Sequence, residues 1–167
     1  SVSQSKEVLA LNNVNLNVYK GEILGIAGVE GNGQSELIEA IMGLNCEQIE
    51  SGTIKLLGNK INNCSTKKRL NLGISHIPED RLTRGLVLEY SIKDNLILGQ
   101  QGQFTKNGFI DSEKISKHAG ELINKFDIRP NDIDVHAIGL SGGNQQKVII
   151  AREFNRDFCF LLAAQPT

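Results

Sequence analysis

The sequence has few cysteines and prolines, almost no net charge and no long hydrophobic run. Its three cysteines, Cys46, Cys64 and Cys159, are widely spaced and form no CxxC pair or Cys/His cluster, so they predict neither a disulfide framework nor a zinc site. The longest apolar run covers residues 158–164, whereas a membrane-spanning helix needs about 20 residues. Residues 1–6 lack the apolar core of a signal peptide. These absences argue against disulfide-stapled, exported and membrane-spanning proteins.

Charge and composition favour one globular domain. Lysine and arginine number 18 against 19 acidic residues, so a net charge of -1 supplies no overall field that would attract nucleic acid or anionic lipid. The 167 residues are 40% apolar and 22% charged with only 3 prolines, which excludes disordered and collagen-like chains. Glycine is more frequent than usual: it makes up 17 of the 167 residues, whereas about 7% of residues is typical.

Hydrophobic periodicity predicts alternating strands and helices. The predicted strands are an alternating one through Val14, Leu16 and Val18, a buried one over Glu22–Ala27, and shorter ones over Thr53–Leu57, Ile74–Ile77 and Phe158–Leu162. A turn is expected at Gly58-Asn59. Helices are predicted through residues 37–44, after the caps Ser91 and Asp111, and over Asn144–Asn155. This alternation is typical of an α/β fold with a largely parallel sheet.

A first glycine-rich loop lies between the predicted strand at 22–27 and the helix at 37–44. Gly28, Gly33 and Ser35 fit the phosphate-loop pattern G-x-x-x-x-G-K-[ST], but position 34 is Gln instead of Lys. Such a loop turns several backbone N–H groups toward one anion, and the helix dipole adds to the attraction. A tight strand-to-helix turn without a ligand remains the alternative. The dinucleotide pattern G-x-G-x-x-G is not met, since the glycines fall at 28, 31 and 33.

A second glycine-rich loop, Leu140–Lys147, reads LSGGNQQK. A serine hydroxyl and two glycine amides ahead of a helix make a second candidate anion site, although a serine cap on an ordinary helix would have the same residues. The motif resembles the signature of the ATP-binding cassette (ABC) family, and its order after the phosphate loop and before a strand ending in Pro-Thr matches that family along the whole chain.

The resemblance implies the fold and its extent. It implies a phosphate-loop NTPase (RecA-like) α/β core, a small antiparallel β-layer, and a helical subdomain at about residues 91–140. Because a complete cassette in the family is longer, residues 1–167 are expected to be a partial, C-terminally truncated nucleotide-binding domain.

The resemblance also implies the binding residues, with ATP and Mg²⁺ as cofactors. The ATP-binding positions are Gly28, Glu30, Gly31, Asn32, Gly33, Gln34, Ser35 and Glu36. Ser35 is also the expected Mg²⁺ ligand. The signature positions are Leu140, Ser141, Gly142, Gly143, Asn144 and Gln145. In the family this signature contacts the γ-phosphate of ATP held by the opposing cassette.

Four positions depart from the family pattern. Gln34 replaces the phosphate-binding lysine, Glu79 stands at the Q-loop glutamine, Ala164 at the Walker B aspartate and Gln165 at the catalytic glutamate. Phosphoryl transfer depends on Mg²⁺ and charge neutralisation, and a general base contributes about 10²–10⁴-fold. This site is therefore expected to bind ATP weakly and to hydrolyse it poorly or not at all, and no residue is assigned as catalytic.

The form LSGGNQQK resembles the ATP-binding subunits of bacterial importers for simple sugars and nucleosides. The sequences at residues 28–37, 77–81, 84–86 and 91–95 resemble the second of the two cassettes in such importers. The resemblance implies a first cassette as partner, fused or separate, together with membrane-spanning permease subunits and, indirectly, an extracellular solute-binding lipoprotein. No nucleic acid is expected, and the location implied is peripheral, at the cytoplasmic face of the cell membrane.

The alternatives are a soluble, non-transport cassette protein acting in translation or on DNA, and an unrelated phosphate-loop enzyme. His76, His118 and His136 are scattered and predict no catalytic triad.

Overall fold

A computed structural model describes residues 11–29, 31–44 and 49–165. Backbone contacts divide the chain into two compact units, residues 1–66 and residues 67–167. Each unit is described by itself. Among the described residues, no helix has the length and apolar character needed to span a bilayer.

The described residues of the N-terminal unit include a helix and a hairpin. Helix α1 (Gln34–Met42) begins after Gly33 and ends at Gly43, both of which have the left-handed backbone that glycine adopts without steric cost. Strands β1 (Lys55–Leu56) and β2 (Asn59–Lys60) pair antiparallel. The turn between them lies at Leu57 and Gly58, with φ of 48° and 81°, one residue earlier than predicted.

Two predicted strands of this unit do not form. The segment through Val14, Leu16 and Val18 and the segment Glu22–Ala27 have no strand structure, and Ile23 is 98% exposed. An apolar run becomes a strand only when neighbouring backbone satisfies its N–H and C=O groups, and neither segment pairs with a strand in the described part of the chain. The prediction of a buried strand before the first glycine-rich loop is therefore wrong.

The C-terminal unit holds most of the regular structure. Its elements, in chain order, are α2 (Thr66–Asn71), β3 (Ile74–Ile77), a π-helical turn (Arg81–Gly85), α3 (Ile92–Leu96), a 3₁₀ turn (Gln101–Phe104), β4 (Thr105–Lys106), β5 (Phe109–Ile110), α4 (Ser112–Lys125), a 3₁₀ turn (Ala137–Gly139), α5 (Gly142–Phe154) and β6 (Phe160–Ala163). Strands β4 and β5 form an antiparallel hairpin. Residues 91–140 thus contain two helices and a hairpin, and a separate helical subdomain there stays a prediction.

The strands β3 and β6 pair in parallel. Ile74 lies opposite Phe160 and Ile77 opposite Ala163. Both strands were predicted from short apolar runs, and β6 begins two residues later than expected. Because parallel strands end at the same edge, the residues that follow β3 and β6 are brought together, which is where ligands bind in open α/β sheets.

Helices α3, α4 and α5 pack around one apolar core. Its fully buried side chains include Ile92, Leu96, Ile123, Val148 and Ile149. The predicted caps are confirmed: the side chains of Ser91 and Asp111 accept hydrogen bonds from the first turns of α3 and α4. The Ser141 side chain, a cap only in the alternative interpretation of its loop, accepts one from the first turn of α5.

Candidate functional site

The first glycine-rich loop ends at the start of α1, where backbone N–H groups are available. Gly31 and Gly33 have φ of 85° and 96°, which a residue with a Cβ would adopt only under strain. Gly33 is the cap residue of α1, and no described side chain caps the first turn. The first N–H groups of a helix have no intrahelical acceptor, so this helix start suits an anion. Glu30 lies outside the described residues.

Gln34 folds back over the beginning of this loop. A Cβ added to Gly28 would overlap the Gln34 amide nitrogen. The side chain therefore lies against the backbone of the loop, but it offers an uncharged amide where the phosphate-loop pattern has an ammonium. Glu36, exposed in the first turn of α1, adds a negative charge close to the same N–H groups. The backbone N–H groups of the loop suit a phosphate group, but the nearby side chains offer little positive charge to neutralise that phosphate.

Neither of the two positions that the resemblance relates to Mg²⁺ supplies a carboxylate for the ion. Ser35 is exposed at the second position of α1 and offers one hydroxyl. Ala164, after β6, has no oxygen in its side chain. Mg²⁺ is usually held through one or two carboxylates, and no group of three or more His, Cys, Asp or Glu side chains in the described ranges could hold a metal ion.

Glu79 and Gln165 meet beyond the ends of β3 and β6. The backbone N–H of Ala164 donates to the Ile77 carbonyl at 2.9 Å, which continues the parallel pairing past β6. Gln165, whose φ is 43°, then donates from its side-chain amide to a Glu79 carboxylate oxygen at 2.5 Å. Both residues are exposed. The structure thus brings together two positions that the sequence analysis singled out separately.

The signature loop opens α5. Leu140 is buried in the helical core, and the Ser141 hydroxyl oxygen caps the helix by accepting from the Asn144 N–H at 3.4 Å. The Gln145 side chain is buried and donates to the Ala137 carbonyl at 3.0 Å. Gly143 is exposed, and a Cβ there would meet nothing within 4 Å. The loop is therefore anchored from inside while its hydroxyl and its glycine backbone face outward.

A polar cluster behind the signature loop escaped the sequence analysis. The Lys147 ammonium donates to the Asp127 carbonyl at 2.6 Å and lies 3.3 Å from the Asp127 carboxylate, which also accepts from the Arg129 guanidinium at 2.8 Å. These hydrogen bonds, with that of Lys147 first, lower the pKa of Asp127. The Arg129 N–H donates to the Asn144 side-chain oxygen at 2.8 Å. Nothing in the local sequence signals the contacts of Arg129 with Asn144 and of Lys147 with Asp127, because they join residues 15 and 20 positions apart.

Arg81 connects the segment after β3 with the signature loop. Its guanidinium lies against Gly142, where an added Cβ would be 3.0 Å from a guanidinium nitrogen. The preceding Asp80 accepts from the N–H groups of Leu82 and Thr83 at 2.9 and 3.1 Å, and from the Thr83 hydroxyl. The hydrogen bond from that hydroxyl is the main cause that lowers the pKa of Asp80. Asp80 thus caps the π-helical turn, a role that the sequence did not indicate.

The family assignment follows from a match along the chain. The model of the ABC transporter family matches residues 11–167. The chain belongs to the ABC transporter family. Its fold is the ABC cassette form of the phosphate-loop NTPase fold, as the sequence analysis expected.

The relatives of this ABC chain include importer ATP-binding proteins. It is 43% identical over its full length to the nucleoside import ATP-binding protein NupA of Lactococcus lactis, and 44% identical to the guanosine import ATP-binding protein NupO of Bacillus subtilis. It is 39% identical to the glucose import ATP-binding protein TsgD13 of Haloferax volcanii. The chain spans about a third of the length of these curated relatives: 33% of NupA and NupO and 31% of TsgD13.

A solved ABC structure matches the same fold. The ATP-binding cassette MJ0796, in a dimeric post-hydrolysis state bound to ADP and Pi, superimposes with a TM-score of 0.76 at 26% identity. The match covers 99% of this chain and 70% of the MJ0796 chain. That relative is a cassette whose structure is dimeric and holds ADP and Pi.

Proposed function

We propose that this chain is a nucleotide-binding cassette of an importer for nucleosides or simple sugars. The support is the identity of 39–44% to three proteins whose names describe import of nucleoside, guanosine and glucose. Within such an importer the cassette pairs with a first cassette, fused or separate, and with membrane-spanning permease subunits at the cytoplasmic face of the cell membrane. An extracellular solute-binding lipoprotein delivers the solute to the permease.

We further propose that this cassette is the second, degenerate half of an asymmetric pair. Gln34 supplies no charge to the phosphates, Ala164 no ligand to Mg²⁺ and Gln165 no base for water. A general base alone contributes about 10²–10⁴-fold, although losses within one site do not simply add. ATP held at this phosphate loop is therefore bound weakly and turned over slowly, if at all.

The observation that carries the proposal is the intact signature loop on a well-anchored helix. Ser141 and Gly143 are exposed at the start of α5, while Leu140 and Gln145 anchor the loop inside. In a head-to-tail cassette pair, a hydroxyl and helix N–H groups so placed stabilise the phosphates of a nucleotide held by the other cassette. This chain then completes the partner's ATP site, where ATP and Mg²⁺ act.

The test compares three substitutions in the assembled importer. Ser141→Arg places a bulky side chain in the signature loop and should abolish ATP-driven solute uptake. Gln34→Ala changes only the degenerate phosphate loop and should reduce uptake much less. Ser112→Arg, at the exposed start of α4, repeats the first substitution away from both loops and should leave uptake unchanged.

Two results would contradict the proposal. Equal losses from Ser141→Arg and Gln34→Ala would show that the two loops serve equivalent sites. Affinity purification that recovers the protein with ribosomes or DNA, and without a membrane-spanning subunit, would favour a non-transport cassette instead.

A further inference from the structure

We propose that Asn144 is a positioning residue that turns the Ser141 hydroxyl proton outward, so that it donates to the phosphate of the partner's nucleotide. This inference rests on the proposed function, in which the signature loop faces that nucleotide. It adds a role for the residue directly after the two signature glycines, argued from the hydrogen bonds around it.

The orientation of the Asn144 side-chain amide is fixed by a backbone group. The Arg129 N–H lies 2.8 Å from the Asn144 Oδ1. A backbone N–H can only donate, so the amide oxygen must face Arg129 and the amide nitrogen must face the other way.

The amide nitrogen then faces the Ser141 hydroxyl. Asn144 Nδ2 lies 3.0 Å from Ser141 Oγ, and the Asn144 backbone nitrogen lies 3.4 Å from the same oxygen. Both groups are donors, so the hydroxyl oxygen accepts twice. A hydroxyl has two acceptor lone pairs and one proton. With both lone pairs engaged, the proton is left to point away from the helix.

The outward direction is where an anion would lie. Ser141 is exposed, and the neighbouring Gly143 has open space at its Cα. A hydroxyl that donates to an ionised oxygen makes one of the stronger hydrogen bonds in proteins. A donor that already points toward this space needs no reorientation when charge develops there.

The segment that carries the Arg129 N–H is itself held against α5 by hydrogen bonds. Lys147, three residues later on the same helix, donates to the Asp127 carbonyl at 2.6 Å, and the Asp127 carboxylate accepts from the Arg129 guanidinium at 2.8 Å. Residues three apart lie on one helix face, so Asn144 and Lys147 both contact the segment 127–129. This arrangement keeps the Arg129 N–H in place as the group that orients the amide.

The experiment is a double-mutant cycle on ATP turnover by the assembled importer. The variants are Asn144→Ala, Ser141→Ala and the double variant, with Asn144→Asp as a fourth. Loss of one such hydrogen bond should lower kcat/KM about 3- to 10-fold in each single alanine variant. If Asn144 acts through Ser141, the double variant should be no worse than Ser141→Ala alone.

Asn144→Asp tests the direction of the hydroxyl. Aspartate keeps an acceptor for the Arg129 N–H but cannot donate to Ser141, whose proton then turns inward to the carboxylate. This variant should lose more activity than Asn144→Ala. Amide exchange gives a readout independent of transport: protection of the Arg129 N–H should be kept in Asn144→Asp and lost in Asn144→Ala. Asn124→Asp, an exposed asparagine in the last turns of α4, is the matched control and should change none of these values.

The outcomes separate the two proposals. Unchanged turnover in Ser141→Ala would overturn the proposed function. A loss in Ser141→Ala with none in Asn144→Ala, or losses that add in the double variant, would overturn the positioning role alone. Thermal unfolding of every variant shows whether a loss of ATP turnover comes from misfolding. If Asn144→Ala misfolds, the cycle is repeated with Asn144→Ser.

Discussion

At the scale of single residues, the surroundings of His76 disfavour its charged form. It lies on β3, and its Nε2 is buried without a hydrogen-bond partner among the described residues. Burial lowers the pKa of His76. The nearby Glu153 carboxylate acts in the opposite direction, and the guanidinium groups of Arg84 and Arg152 lower the pKa further. The folded state therefore disfavours the protonated imidazole.

This shift predicts that stability falls on mild acidification. The unfolded chain has the ordinary pKa of 6.5 and the folded chain a lower one, so below 6.5 the unfolded state binds more protons. The contribution of His76 to the free energy of unfolding is complete above pH 6.5. It is lost as the pH falls from 6.5 through the pKa that His76 has in the folded chain. Urea unfolding between about pH 5 and 8 should show this slope, and His76→Gln should flatten it.

A second histidine matters for interpreting the measurement. His118 also has a pKa lowered by burial, so part of the slope should remain in His76→Gln. An identical slope in His76→Gln and in the unmodified chain would contradict the prediction.

At the scale of elements, a buried charge network joins the helices of the C-terminal unit to its sheet. Glu153 on α5 accepts from the Ser75 hydroxyl of β3 at 2.6 Å and from the Arg152 guanidinium at 2.7 Å. Arg152 also donates to the carbonyls of Gly85 and Asn95 at 2.9 and 3.3 Å. Arg152 and Glu153 are 6% and 4% exposed, so little water screens the pair.

Removing one member of this network should be costly. Arg152→Met leaves the Glu153 carboxylate buried with one partner fewer, and breaking a buried pair typically lowers the free energy of unfolding by about 3–5 kcal/mol. Arg156, whose guanidinium lies 3.1 Å from Glu153, should offset part of that loss. Chemical denaturation measures the difference.

The matched control is Lys93→Met, which breaks the solvent-exposed pair with Asp134. Water screens that pair, so the change in stability should be much smaller. Equal destabilisation by the two substitutions would mean that burial does not set the strength of the network.

At the scale of the whole molecule, the chain by itself should be a poor ATPase. Under the proposed function, Gln34 replaces the ammonium group of the phosphate loop, Ala164 and Gln165 stand at the two Walker B carboxylate positions, and the signature loop serves another cassette. Phosphate release by the purified chain with ATP and Mg²⁺ should be at least about 100-fold slower than by the assembled importer, the lower bound for loss of a general base. Turnover at a comparable rate would contradict the degenerate site.

Local sequence predicted much of the C-terminal unit. The caps at Ser91 and Asp111 were visible because a cap depends on residues only three positions apart. The strands β3 and β6 were visible as short apolar runs. The strands expected at residues 14–18 and 22–27 were wrong, because an apolar run does not specify the partner strand that it needs.

The sequence by itself determined the family and both glycine-rich loops, since spacing and residue type are local properties of the chain. Tertiary structure decided which residues meet at these loops: Glu79 with Gln165, Arg81 with Gly142, and Asn144 with both Ser141 and Arg129. Apart from the contact of Asn144 with Ser141, these contacts join residues at least 15 positions apart. Such contacts arise from the parallel pairing of β3 with β6 and the packing of α5, which no local pattern of residues can specify.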